Sequence, residues 1–311
     1  MIVKATIRVK GDCSQDQSEV SALIVESPKI LSDRRAVGLV CKPGRIEAER
    51  IANRIAEFLL TKDIDVQVDP GSCNVTAKKA IPTPIEDMDV DFVVTIGGDG
   101  TILYALSRLK DREIPLFCVN RGNVGFLTEA STTTALGALE KVIRDQCVLE
   151  VNANIASGVG DREFENALNE VYVVSRIPGR LLTFQVHLDG VRIDYGRADG
   201  AMVATPCGST AYALAAGGSI LSPNVNGFIF VPVCPPRFEL KSVVVSDSSV
   251  LELELVKPGA PGLAVIDGQT RWDVEPSETV WVKNAKGVSR FIRMYDNYWD
   301  RINTRLVPRT L

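Results

Sequence analysis

Val90-Asp91-Phe92-Val93-Val94-Thr95-Ile96-Gly97-Gly98-Asp99-Gly100-Thr101 is the stretch whose reading decides the fold. Residues 90–96 are mostly apolar and β-branched, the character of a strand covered on both faces. Three glycines in four residues follow, then a helical pattern over 101–109. A strand, a glycine turn and a helix in that order aim free backbone N–H groups at an anion. Gly97, Gly98 and Gly100 allow close backbone approach, and Thr101 opens the helix. Asp99 is unexpected in a pure phosphate cradle, because a carboxylate repels phosphate. It suits a general base on a sugar hydroxyl, or an anchor for Mg²⁺ beside a phosphate. In the plainer reading it caps the helix.

Outward from this unit, residues 36–41, 65–68 and 116–119 read as further strands. Ile46, Ile51, Ile55, Phe58 and Leu59 describe one face of a helix over 46–61, and 135–144 is helical again. Alternating strands and helices predict an α/β domain with a largely parallel sheet. Near Glu150 the texture changes to short β-branched segments at 184–188, 191–194, 243–245, 251–255, 263–266 and 279–282. Asp189-Gly190 serves as a hairpin turn. This predicts a mainly β second domain, interrupted by a helix over 209–216. The expected division is an N-terminal extension, 1–34, with a strand over 1–10 and a turn-like 11–19. An α/β nucleotide-binding domain follows over 35–149, then a β-rich domain over 150–285. A tail, 286–311, contains a helix over 298–306 that returns to the first domain.

The 311 residues match two domains by length. Thirty-five basic against 39 acidic residues, a net charge of −4, give no global field for nucleic acid, so no nucleic-acid partner is expected. No apolar run approaches the ~20 residues of a membrane span, and no membrane association is expected. The seven cysteines show no paired spacing. With His187 the single histidine, a Cys/His zinc site is not expected. Scattered unpaired thiols predict a reducing, cytoplasmic setting.

Three further segments carry polar chemistry. Asn120-Arg121-Gly122-Asn123-Val124-Gly125-Phe126-Leu127-Thr128 is a second glycine loop after the next strand, with Phe126 placed to line an adenine or ribose pocket. Two such loops on neighbouring parallel strands predict one cleft. Asn169-Glu170 sits in an apolar strand, 167–174, and suits ribose hydroxyls or a base edge; a strand edge or bulge is the alternative. Thr205-Pro206-Cys207-Gly208-Ser209-Thr210-Ala211-Tyr212 follows Arg197-Ala198-Asp199-Gly200 and a strand. Ser209 and Thr210 stand where a helix would start, which N-capping alone explains.

Together, GGDGTIL (97–103), NRGNVGFLTE (120–129), ALNEVYV (167–173) and RADGAMVATPCGSTAYALAAGGSIL (197–221), then SPN (222–224), resemble the NAD kinase family in the family's order, across roughly residues 34–295. The resemblance implies a two-domain architecture and transfer of the γ-phosphoryl of ATP, another triphosphate or polyphosphate to the 2′-hydroxyl of the adenosine ribose of NAD. It implies Asp99 as the proposed base and Gly97, Gly98, Gly100 and Thr101 as the phosphate loop. Gly100, Phe126, Asn169, Glu170, Thr210, Ala211 and Tyr212 would surround NAD. Asp199, with Arg197 beside it, would reach the nicotinamide end across a subunit interface of a homodimer or homotetramer. Mg²⁺ would be held mainly by the nucleotide, with no metal-ligand set of the protein's own.

Cys207 stands where members often carry Thr or Ser, and Cys234-Pro235-Pro236-Arg237-Phe238 lacks the family's usual His. Asp267-Gly268-Gln269 fits the family's DGQ and otherwise reads as a hairpin turn. Two alternatives stay open: a lipid- or sphingoid-type kinase sharing the GGDG domain, and an NAD(P)-binding sensor without catalysis.

Overall fold

The computed structural model describes residues 24–26, 28–33, 35–110, 112–120, 125–236, 241–295 and 298–305. The strand expected over 1–10, the turn over 11–19, Arg121–Val124, Arg237-Phe238 and Leu306 lie outside them.

Ile81–Pro82, Asp65–Val68, Ala36–Cys41, Phe92–Gly97 and Leu116–Asn120 lie side by side in parallel. The Ala36–Cys41, Phe92–Gly97 and Leu116–Asn120 strands are buried along their whole length. That is why they read as continuous apolar runs. Helices Ile46–Leu60 and Ala135–Ile143 cover one face through Val37, Leu39, Phe92, Val94, Phe117 and Val119. Helix Asp99–Leu109 covers the other through Val40, Val93, Leu116 and Cys118.

The 15-residue strand Thr279–Arg293 extends this sheet. Phe291 pairs in parallel with Leu116, while the same strand runs antiparallel to Val148–Val159 and to Leu251–Leu255. A second, six-stranded sheet is antiparallel throughout, ordered Val243–Ser246, Gly227–Val233, Gly200–Ala204, Glu170–Ser175, Gly262–Ile266, Thr270–Val274. It packs on the antiparallel part of the first sheet, with Val171, Val173 and Phe228 meeting Phe184, Leu253 and Val280 in one core. The fold is thus an N-terminal α/β domain with a mostly parallel sheet, joined to a C-terminal antiparallel β domain.

Several local expectations need correction. Ile46 is 83% exposed, because it is the first helical residue; Ala48, Ile51, Ala52, Ile55, Ala56 and Leu59 form the buried face. Asn169 precedes its strand, which starts at Glu170. The helix expected over 209–216 is a 3₁₀ turn, Gly208–Thr210, and a four-residue helix, Tyr212–Ala215, broken at Ala211 by a ψ of −126°. Cys41 and Cys73 are paired as a disulfide, joining the end of one strand to the loop after the next. The expectation of unpaired thiols therefore fails at these two. Their 32-residue separation hides the pairing from sequence spacing, because the parallel sheet brings them together.

Candidate functional site

The glycine loop is built by packing on one side and left open on the other. A Cβ at Gly97 would stand 2.2 Å from Thr101 Oγ1, so only glycine fits there. At Gly98 and Gly100 none of the described residues lies within 4 Å of such an atom, and these two leave room for a ligand. The helix starts at Asp99, two residues earlier than its sequence pattern indicates, so Asp99 stands in the first turn. A negative charge is favoured at that end of the helix dipole.

Asp99 does not cap its own helix. Its carboxylate accepts the N–H of Phe126 at 3.0 Å and of Leu127 at 3.2 Å, tying the first glycine loop to the second. Gly125 is required by this approach, since a Cβ there would lie 2.3 Å from Asp99 Oδ1. Leu127 is also held from behind, where its carbonyl accepts Arg293 Nη1 at 2.7 Å. Arg293 is 1% exposed and bonded through Nε and Nη2 to Glu150. Nothing in the sequence reading identified this pair; an arginine inside the apolar run Phe291-Ile292-Arg293-Met294 was the available signal.

Residues 168–170 face this unit from the second domain. The Asp267 carboxylate accepts the backbone N–H of Leu168, Asn169 and Glu170 at 2.7, 2.8 and 2.9 Å. Thr205 N–H donates to the Asn169 carbonyl at 2.9 Å, and the Thr205 hydroxyl donates to the Leu168 carbonyl. Gly208 sits so close that a Cβ would meet the Asn169 carbonyl oxygen at 2.0 Å. Burial pushes the Glu170 carboxyl up to about 8, and the Asp267 charge adds to the rise. Burial also raises Asp267, to about 6, against the lowering effect of its three N–H donors.

The hydroxyls of Ser209 and Thr210 do not act as N-caps. Ser209 donates to the Pro206 carbonyl and accepts Leu221 N–H, while Thr210 donates to the Cys207 carbonyl. They hold the turn that carries Ala211 and Tyr212. The Tyr212 ring stands edge-on to Tyr172 at 5.4 Å. Ile102, Leu127 and Leu168 share one apolar cluster with Phe126 and Cys207 against it, which joins the glycine loop to residues 168–170 and 205–210. Arg197 and Asp199 are exposed at the junction of Val191–Ala198 and Gly200–Ala204. Phe126 meets the edge of Tyr298 at 6.0 Å and lies under the Arg301 guanidinium, both from helix Tyr298–Arg305.

A cavity of about 840 Å³ opens at the other end of helix Asp99–Leu109, lined by Ser107, Lys110, Phe164, Trp272, Lys283 and Lys286. Among the described residues no group of three or more His, Cys, Asp or Glu side chains is placed to hold a metal.

Comparison with known proteins meets the same two halves. The ATP-NAD kinase N-terminal domain matches residues 37–147, and the ATP-NAD kinase C-terminal domain matches 168–294. An NAD kinase of Methanothermobacter thermautotrophicus is 35% identical over 87% of this chain and 96% of its own length. One of Aromatoleum aromaticum is 34% identical over 86% and 91%. The crystal structure of an NAD kinase from Archaeoglobus fulgidus in complex with ATP superposes with a TM-score of 0.71 at 30% identity, covering 86% of this chain and 97% of that one. Yeast NADH kinase complexed with NADH shares the fold, with a TM-score of 0.77 at 22% identity over 89% of both chains. With both domain models matched and relatives above 30% identity over most of their length, the chain belongs to the ATP-NAD kinase family.

Proposed function

We propose that this enzyme is an NAD kinase that moves the γ-phosphoryl of ATP to the 2′-hydroxyl of the adenosine ribose of NAD, with Asp99 as the group that accepts the hydroxyl proton. The observation that carries this role is the bridge from Asp99 to Phe126 and Leu127. Two N–H donors fix the carboxylate in one orientation, while each oxygen keeps capacity for another hydrogen bond. A carboxylate held in place between two glycine loops is what an incoming ribose hydroxyl needs for proton removal. Phosphoryl transfer itself asks mostly for alignment and charge neutralisation. The open sides of Gly98 and Gly100 admit phosphate oxygens to backbone N–H groups, Asn169 and Glu170 hold the acceptor nucleoside, and Phe126 with Thr210, Ala211 and Tyr212 bounds its base. Mg²⁺ arriving on the triphosphate neutralises its charge. The 35–149 segment then serves as the phosphate-handling unit and 150–285 as the acceptor-binding unit.

The same bridge favours a second reading, in which Asp99 only anchors the Phe126 loop. The two separate in Asp99→Asn. As base, its loss lowers kcat by about 10²–10⁴ with NAD binding changed only a few-fold. As anchor alone, the variant raises KM for NAD and leaves kcat near the wild-type value. Steady-state kinetics with an NAD-binding titration decides between them.

The exposure of Arg197 and Asp199 supports their acting on the nicotinamide end of NAD bound in a partner subunit of a homodimer or homotetramer. Four free thiols among the described residues, Cys118, Cys147, Cys207 and Cys234, support a reducing cytoplasmic setting, while the Cys41–Cys73 disulfide speaks against it. Among the described residues no helix is long and apolar enough to cross a membrane.

A further inference from the structure

Asp267 begins as a turn residue. It and Gly268 connect the strands Gly262–Ile266 and Thr270–Val274, with φ of +49° and +68°. Asp-Gly is well suited to such a hairpin, and Asn-Gly would serve equally. The turn does not require a carboxylate, yet this one is 92% buried. Its two oxygens are spent on a segment 97 to 99 residues away, the consecutive N–H groups of Leu168, Asn169 and Glu170. The Asp267 N–H in turn donates to the Glu170 carbonyl at 3.0 Å. Two of the three residues so gathered are those assigned to the acceptor nucleoside.

Beside this clamp, Glu170 Oε2 is buried and has no hydrogen-bond partner among the described residues. A half-buried acid within electrostatic reach of another carboxylate cannot keep its charge cheaply, and the neutral acid has an O–H to donate. We propose that Asp267 is the positioning residue of the acceptor site: its carboxylate sets the direction of Asn169 and Glu170, and its charge reinforces burial in keeping the Glu170 carboxyl as an uncharged hydrogen-bond donor to the acceptor nucleoside. This rests on the NAD kinase reading above and adds the protonation state through which its acceptor is held. Asp267 is the charged group acting on Glu170 from the facing hairpin. Across the 205–208 turn the other titratable group is the Cys207 thiol, which burial keeps neutral. The Glu170 carboxyl, up to about 8 through burial and then Asp267, agrees with the neutral form.

The test compares wild type, Asp267→Asn and Glu170→Gln in initial-rate kinetics from about pH 6 to 9, varying NAD at saturating ATP and the reverse. Asp267→Asn keeps the turn but replaces one of the two acceptor oxygens by an NH₂, which opposes at least one of the three N–H donors, and removes the charge. It is expected to raise KM for NAD about tenfold or more, with KM for ATP within about twofold. Wild-type kcat/KM for NAD falls as pH rises through the Glu170 value. In Asp267→Asn that fall moves to lower pH, and in Glu170→Gln, which keeps the clamp and a neutral donor, it disappears. An unchanged KM for NAD with an unmoved alkaline limb in Asp267→Asn overturns the proposal. So does a wild-type limb persisting in Glu170→Gln, which also decides the matter if Asp267→Asn does not fold. Wild-type protein that binds NAD without phosphorylating it overturns the kinase reading instead, and NAD titration of the same variants still tests the clamp.

Discussion

Leu127 is gripped at both ends of its peptide units, by Asp99 at its N–H and by Arg293 at its carbonyl. Behind it stands an ion cluster in which Glu150 faces Arg293 and Arg301. Burial opposes the Glu150 charge, but the two guanidiniums outweigh it and hold the carboxyl down to about 2, against an ordinary 4.5. The sign of the linkage follows. A lowered native value contributes stability that is complete above the unfolded value and is lost as pH falls from about 4.5 towards about 2. Glu150→Gln leaves the buried Arg301 guanidinium without its counter-ion and Arg293 with Glu129 alone, so it should cost about 3–5 kcal/mol at neutral pH. That deficit should shrink as acid protonates Glu150 in the wild type. Denaturant unfolding of both proteins at several pH values checks this, and a difference constant down to about pH 3 is the contrary result. Asp99 was legible in sequence because its glycine neighbours announce it. Asp267 was legible only as a turn, since its clamp is made with residues near 168 that spacing cannot bring together.

At the scale of elements, helix Tyr298–Arg305 shapes the Phe126 loop from outside. The Tyr298 hydroxyl donates to the Leu221 carbonyl at 3.1 Å while its ring meets Phe126 edge-on. Tyr298→Ala removes a ring pair worth about 0.5–1.5 kcal/mol and a hydrogen bond. Phe126 then loses its backing, so KM for NAD should rise several-fold with kcat nearly unchanged. Equal KM in variant and wild type would show that Phe126 needs no support from this helix. The strands were readable because full burial writes itself as apolar runs. The 209–216 segment was misread as one helix because local propensity favours it. Gly208 pressed on Asn169 and the Ser209 bond to Leu221 impose a tertiary break at Ala211.

Across the whole molecule, texture alone separated a parallel α/β half from a β-rich half, and the fold has both. It did not show that one strand, Thr279–Arg293, belongs to the same sheet as Leu116–Asn120 and Leu251–Leu255. Patterning reports which face of a strand is covered, not which strand lies alongside. The exposed Arg197 and Asp199 belong to this scale too. If Asp199 completes a neighbour's site, mixing Asp99→Asn with Asp199→Ala should restore part of the activity each lacks alone, in hybrid oligomers. Full activity in a species that light scattering shows to be monomeric is the result against it.

The long Thr279–Arg293 strand also has a consequence for biosynthesis. Until residues 288–293 have emerged from the ribosome, Leu116 lacks its Phe291 partner and strand Val148–Val159 lacks its long neighbour, although Val119 and Asn120 are already paired with Ala130 and Ser131; that flank is an invitation to pair with another nascent chain. Early assembly of the first half therefore remains provisional, and translation must deliver its late strand before that flank is sealed.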